Sequence, residues 1–327
     1  MEGLCHNVAI YGETPGGILE RLVMMFVALL ASFVLAWMPF PPLGDLSAGL
    51  RRIGARLNRP IRSETDRAIR GVFMTLVVAA IGFFFGRIVG SFVEGFGEIG
   101  RLAGIFGLAL VMAAPARHAL FRRYMGATLL HQPLRAGRMA AALAGQEAVP
   151  ADVHAAARLV VAEVARDVER RLITPLFWFL LGGFPMLFLV WAVALLDRAV
   201  GHNLPGWRPF GGTASNLDFA LRWIPARLSV AFLAFAAVFT DGGQPRKSFM
   251  TALMDARQHP SRLGGWPVAA MAGALGIMLG APRVGGGGWM GSGTARIGLK
   301  EVRRAMRINA IVRLILAAVC AGAALLA

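Results

Sequence analysis

Lysine is nearly missing from this 327-residue chain. Lys247 and Lys300 are the only two, against 34 basic residues in all, so almost all the positive charge is arginine. An arginine-favouring genome gives the same bias. The planar fork of arginine nevertheless suits phosphate and carboxylate better than an ammonium does. Charge is scarce overall: 16% of residues are Asp, Glu, Lys or Arg, where soluble domains carry about 25%. That shortage argues against an ordinary soluble enzyme, and 57% apolar residues exclude a disordered chain. Cysteine is limited to Cys5 and Cys320 at opposite ends, which excludes a disulfide scaffold, and no CxxC pair is present. HExxH and GxSxG are absent too, so neither a zincin nor a nucleophile elbow is expected. The N-terminal stretch has no basic n-region and no A-x-A site. The first apolar run is therefore expected to be retained as an anchor.

The sequence does have long apolar runs and an excess of basic over acidic residues, 34 to 18, a net charge of +16. Because the charge lies between apolar runs, it points to a membrane surface rather than to nucleic acid. A helix needs roughly 20 apolar residues to cross the hydrocarbon. Leu22–Phe40, Gly71–Phe92, Ile173–Leu196 and Ile308–Leu326 are expected spans, and Leu102–Pro115 is shorter and counts only if all of Ile99–Phe121 contributes. Ile224–Thr240 is borderline, and Trp266–Gly280 reads as a span or a packed helix. Pro175 and Pro185 are expected to kink the Ile173–Leu196 run. The expected fold is all-α: a polytopic helical membrane protein with about five or six spans and a helical cytoplasmic region. Three sections follow: N-terminal membrane helices over 1–116, a polar helical segment over 117–172, and further membrane helices over 173–327. Within 117–172, Leu159, Val160, Val164 and Val168 form one apolar stripe at helical spacing.

The 41–70 loop carries seven arginines and should face the cytoplasm, with the N-terminus outside. Simple alternation then puts the 198–223 loop outside. The alternative is that Ile173–Leu196 re-enters, its prolines making the turn.

Acidic groups near apolar runs stand out because they must be paired or used. These are Asp197, Asp218 and Asp255. Asp197 has Arg198 or a more distant arginine as a structural partner, and Asp218 has Arg222 one turn on. His259 precedes Pro260, which favours an extended backbone, and lies four residues after Asp255 as an acid–base or magnesium-linked pair or a solvated loop histidine. His202 in its turn shows the same ambiguity. The glycine run at 285–288 lacks the lysine of a P-loop, and reads as a flexible loop or as backbone N–H groups open to an anion.

Four strings carry a family resemblance: ITPLFWFLLGGFP, LLDRAVGHN, LDFALRWIPARL and DARQHPSRLGGWPVAAMAGALGIMLGAP. In order and spacing they resemble the membrane-bound adenosylcobinamide-phosphate synthases of cobalamin biosynthesis, best over about residues 120–310. The resemblance implies amide-bond formation between adenosylcobyric acid and an aminopropanol phosphate, with ATP and magnesium. It implies catalytic roles for Asp197, Asp218, Asp255 and His259. It implies substrate contacts for Arg227 (a phosphate or carboxylate clamp), His202, Ser261, Gly265 and Trp266. The chain departs from the pattern where the family shows E-N-x-x-D-G. Here Arg166, Asp167, Arg170 and Arg171 occupy those positions, so two acids have become arginines that repel a metal or bind phosphate in its place. The alternative to a divergent synthase is a non-catalytic paralogue that binds an anionic ligand or an assembly partner. A transporter ranks third, since no repeat pair is visible.

Overall fold

The computed structural model describes residues 15–38, 46–61, 63–150, 152–201, 206–259, 261–280 and 288–326. His202, Gly285, Gly286 and Gly287 lie outside them. Among the described residues the fold is all-α, with only isolated bridges, Ile277 to Thr294 and Leu279 to Met290. The helices are α1 (Pro15–Leu35), α2 (Leu46–Leu57), α3 (Glu64–Gly95), α4 (Gly97–Ala113), α5 (Pro115–Leu129), α6 (Pro133–Ala144), α7 (Val153–Asp167), α8 (Thr174–Val200), α9 (Arg208–Val238), α10 (Pro245–Asp255), α11 (Gly265–Leu275) and α12 (Leu299–Leu326). A π-helical turn, Val168–Ile173, joins α7 to α8 without a break.

Local chemistry accounts for most boundaries. Ser63 caps α3 by accepting from the Asp66 N–H, and Asp152 caps α7 by accepting from Ala155, which holds its exposed carboxyl below the usual range. Proline starts α5, α6 and α10, where its missing N–H costs nothing. The run Ile99–Phe121 is interrupted: Ala114 takes a left-handed conformation and Pro115 begins a new helix. Trp266–Gly280 resolves as the packed alternative, because every residue of α11 except Trp266 is buried.

Six helices are long and apolar enough to cross a membrane. The longest, Val153–Val200, has 48 residues, about 72 Å at 1.5 Å per residue, more than twice the hydrocarbon thickness. It crosses and returns. Gly182 (φ −144°, ψ 21°) and Gly183 (φ 61°, ψ −151°) break the helix, beside Arg21 near the start of α1, whose Nη1 donates to the Leu180 carbonyl. The left-handed φ of Gly183 is open to glycine at no steric cost. The prolines expected to make this turn do not. Pro175 sits just inside the start of α8, and Pro185 just inside the second half, positions that tolerate proline.

The returning half packs antiparallel to α3. Gly86 lies against Phe184 and Pro185, and Gly82 against Phe188 and Leu189. Arg51 of α2 donates to the Ala199 carbonyl, so the second half of α8 ends on the arginine-rich face. Small residues permit this close backbone approach between membrane helices. The face of α3 turned from the protein is apolar and open, with Phe73, Phe84 and Ile88 each more than 60% exposed, as a lipid-facing surface requires.

The borderline run Ile224–Thr240 is part of the longer α9, and both ends of α9 sit on that same face. Phe210 lies against Gly71, near the start of α3. At the other end, Asp241 accepts from Arg304 through its carbonyl and from Arg307 through its carboxylate. Both arginines precede Arg313 on α12, which itself meets Ser32 and Met112 near the ends of α1 and α4. The crossings are then α1, α3, α4, the two halves of α8, and α12. The described parts of the chain between 197 and 307 lie on the arginine-rich side, as the re-entrant alternative requires.

Two measurements check this arrangement. In a background without Cys5 and Cys320, Asn58→Cys and Asp241→Cys are expected to react with an impermeant maleimide from one face, and Phe96→Cys from the other. Gly71→Ala places a Cβ 1.9 Å from the Phe210 carbonyl oxygen and is expected to lower stability by about 1–3 kcal/mol in a thermal melt.

Candidate functional site

The site is built on the π turn. A five-residue hydrogen bond from the Thr174 N–H to the Glu169 carbonyl widens the helix there, a feature that concentrates at functional sites. Glu169 is directed to α9, while Arg166 and Arg170 line a cavity on another side.

On the α9 side Glu169 is completely buried. It accepts from Arg222 Nε at 2.9 Å and Nη2 at 2.6 Å, and from Thr174 Oγ1 at 2.9 Å. Arg222 Nη1 donates to Asp218 at 2.7 Å. The expected i, i+4 pair is therefore present, with Glu169 as a third member. One guanidinium between two carboxylates satisfies buried charges that would otherwise be very costly. Asp197 pairs with neither Arg198 nor a distant arginine in a described ion pair; it accepts from the Ser215 hydroxyl on α9.

On the other side lies a cavity of about 680 Å³. Arg158, Arg166, Arg170, His259 and Ser261 supply its polar lining, with Leu159, Val268 and Met290 among the apolar walls. Arg170 is exposed because the cavity opens on to it. Arg158 is held by the Ala295 carbonyl at 2.7 Å and stacks on Trp289. Arg166 Nη2 lies 2.9 Å from His259 Nε2. His259 has the extended backbone that Pro260 favours, and its Nδ1 lies 2.9 Å from the Ser261 N–H. Gly265 lets the backbone close behind it: a Cβ there would lie 1.9 Å from the Ala256 carbonyl oxygen and 2.8 Å from His259 Cβ.

The residues anticipated from sequence divide into three sets. His259 and Ser261 line the cavity, and Gly265 packs against His259, while Trp266 lies outside the lining against Arg227. Asp197 and Asp218 stand in the adjoining polar layer between α8 and α9. Asp255 is not in the lining; its carboxylate accepts from the Gly291 N–H at 2.8 Å and from Gln258, tying down the chain after 288. Arg227 is also outside the lining, its guanidinium stacked between Trp223 (3.7 Å) and Trp266 (4.6 Å). Sequence reasoning missed Glu169 and Glu163. Both flank the arginine positions and are carboxylates in the same helical stretch, a signal that was available. Glu163 pairs with Arg166 and with Arg117. Arg171 does not join Arg166 and Arg170 but turns to Asp167.

Fold and cavity together define a polytopic helical membrane protein with an arginine-lined ligand cavity on its arginine-rich side. Its family is shown by comparison: the family model described as CobD/Cbib protein matches residues 18–309, and the chain belongs to that family. The match reaches further into the N-terminal helices than the sequence motifs do. A "Cobalamin biosynthesis protein CobD" of a Sinorhizobium species is 31% identical over 235 residues, covering 71% of this chain and 72% of its own. The protein of that name from Klebsiella pneumoniae is 32% identical over 284 residues, covering 81% and 84%. No solved structure matches.

Breaking the buried triad tests the packing of the site. Arg222→Leu alone leaves Glu169 and Asp218 facing each other and is expected to cost about 3–5 kcal/mol. The triple change Glu169→Gln, Asp218→Asn, Arg222→Leu is expected to recover a large part of that in the same melt.

Proposed function

We propose that the protein is an adenosylcobinamide-phosphate synthase of cobalamin biosynthesis, working at the cytoplasmic face of a bacterial-type inner membrane. It would join a carboxylate of adenosylcobyric acid to the amine of an aminopropanol phosphate. The observation that carries this reading is the convergence of Arg158, Arg166 and Arg170 with His259 and Ser261 on one cavity. Two of these residues belong to the family strings, and the other three supply the positive charge that phosphate and carboxylate substrates need.

ATP, when bound, supplies the phosphoryl group that makes a carboxylate reactive toward an amine. Arg166 and Arg170 would hold the phosphate oxygens as charge shifts between them. His259 is the base that takes a proton from the incoming ammonium once Arg166 turns to the anion and releases its Nε2. Ser261, beside it, orients the amine or the phosphate of the second substrate. The apolar walls exclude water, which would otherwise compete with the amine.

Magnesium fits this residue set less well. Among the described residues no group of three Asp, Glu, His or Cys side chains converges on a metal-sized site. The carboxylates nearest the cavity, Glu163 and Glu169, are already held by Arg117, Arg166 and Arg222. The described residues thus offer no cage, and a magnesium ion carried on nucleotide phosphates and water is the compatible form. The same observation favours the second reading, a non-catalytic paralogue that binds an anion in the cavity.

Purified protein assayed for amide formation separates the two, together with rescue of cobalamin-dependent growth in a synthase-deficient strain. Activity with wild type, and a fall in kcat/KM of about 10²-fold for Arg166→Gln or Arg170→Gln at unchanged melting temperature, is the expected result. No activity and no rescue, with a corrinoid or phosphate still bound, would leave the paralogue.

A further inference from the structure

A second cavity, of about 200 Å³, lies between α1, the α4–α5 junction, α7 and α12. Its charged lining is Arg117, His118, Asp167, Arg171 and Arg313, with Phe33 and Phe121 as apolar walls. We propose that this cavity binds a phosphate group. The inference stands apart from the reading of the larger cavity.

Arg313 is the central observation. It sits on α12 level with the ends of α1 and α4, and among the described residues no carboxylate is within ion-pair distance of it. Its acceptors are all neutral: Asn309 Oδ1 at 3.2 Å, Ser32 Oγ at 2.8 Å and the Met112 carbonyl at 3.1 Å. Nε, Nη1 and Nη2 each make one of these bonds, so one N–H on each terminal nitrogen remains to be satisfied. A guanidinium left without a counter-charge in a partly buried setting is costly, and an anion on the remaining donors offsets that cost.

Asp167, in the same lining, attracts Arg313 without pairing with it, and is already committed elsewhere. Asp167 is shared between Arg117 and Arg171, and Glu163 between Arg117 and Arg166. These two carboxylates therefore face four guanidiniums once Arg313 is included. The buried Nε2 of His118 has no hydrogen-bond partner, and Trp37 stacks on the same ring at 5.5 Å. Arg122 lies over the other ring of that stack, 4.9 Å from the Trp37 centroid. Ala113 and Ala114 also line the cavity, so the end of α4 and the start of α5 meet at its edge and their dipoles oppose each other there.

Size and position select the ligand class. About 200 Å³ holds a tetrahedral anion with a few waters, since a water takes about 30 Å³; a nucleotide or a corrin ring does not fit. Several donors converging from different helices suit the oxygens of a phosphate better than the two of a carboxylate. The cavity lies at the ends of α1 and α4 on the arginine-rich side, the depth of lipid headgroups. The phosphate can therefore come from an anionic lipid or from a free phosphate ester.

The test uses the full-length protein in an Arg166→Gln/Arg170→Gln background, which removes the phosphate clamp proposed for the larger cavity. Melting is followed for delipidated protein with inorganic phosphate at constant ionic strength. It is also followed in nanodiscs of phosphatidylcholine with or without phosphatidylglycerol. A saturable rise of a few degrees is expected. Arg313→Gln should abolish it, and so should Ala310→Phe, which fills the cavity while keeping the charge. Ala310→Phe carries the test if Arg313→Gln does not fold. A rise with phosphatidylglycerol alone assigns the site to a headgroup, and a rise with inorganic phosphate assigns it to a free ester. No rise in either arm, or a rise that survives both substitutions, overturns the proposal.

Discussion

Arg222 stands between Glu169 and Asp218, and most of the architecture around the site follows from that contact. The bidentate bond to Glu169 locks α9 to the π turn, and the bond to Asp218 fixes the same guanidinium within its own helix. A buried charge cannot be left alone, so the three groups either assemble together or destabilise the fold together. With Glu169 committed to α9, Arg166 and Arg170 of the same helical stretch line the cavity. The cavity is thus electropositive because its neighbouring acids are already in use.

The long helical path from Val153 to Val200 performs two tasks that are usually separate. Its first part carries an arginine–carboxylate ladder: Arg166, Glu163, Arg117, Asp167 and Arg171 form a continuous chain of ion pairs. That chain runs between the two cavities, with Arg166 in the lining of the larger and Arg171 in that of the smaller. Its second part turns at Gly182–Gly183 and comes back, bringing Asp197 to the side from which the helix rose. A hairpin at this point keeps the polar residues of the family strings on one face of the membrane.

The exchange of two family acids for arginines reads differently in three dimensions than along the chain. In sequence it reverses the charge of a motif. In the structure Glu163 takes up Arg166, and Asp167 takes up Arg171, so the local balance is partly restored by carboxylates one helical turn away. Arg170 has no such partner among the described ion pairs and faces the cavity. The net effect is a cavity wall that carries the guanidiniums of Arg166 and Arg170.

The sequence by itself determined the environment and most of the elements. Long apolar runs with few charges can satisfy their backbone only as helices in lipid. The stripe of Val160, Val164 and Val168 is buried at the spacing that helical periodicity requires. His259 before Pro260 was legible as an extended residue, and the Asp218–Arg222 pair from its i, i+4 separation, because both effects are local. Tertiary structure alone decided which polar residues meet. Glu169 reaches Arg222 across 53 positions, and Arg166 reaches His259 across 93. Whether Asp255 and Arg227 face the cavity depends on what else lies beside them, a glycine N–H for one and two indoles for the other. The turn at Gly182–Gly183 was equally out of reach, because the nearby prolines carry a stronger local signal. Only packing against α3 and Arg21 shows that the chain reverses at the glycines.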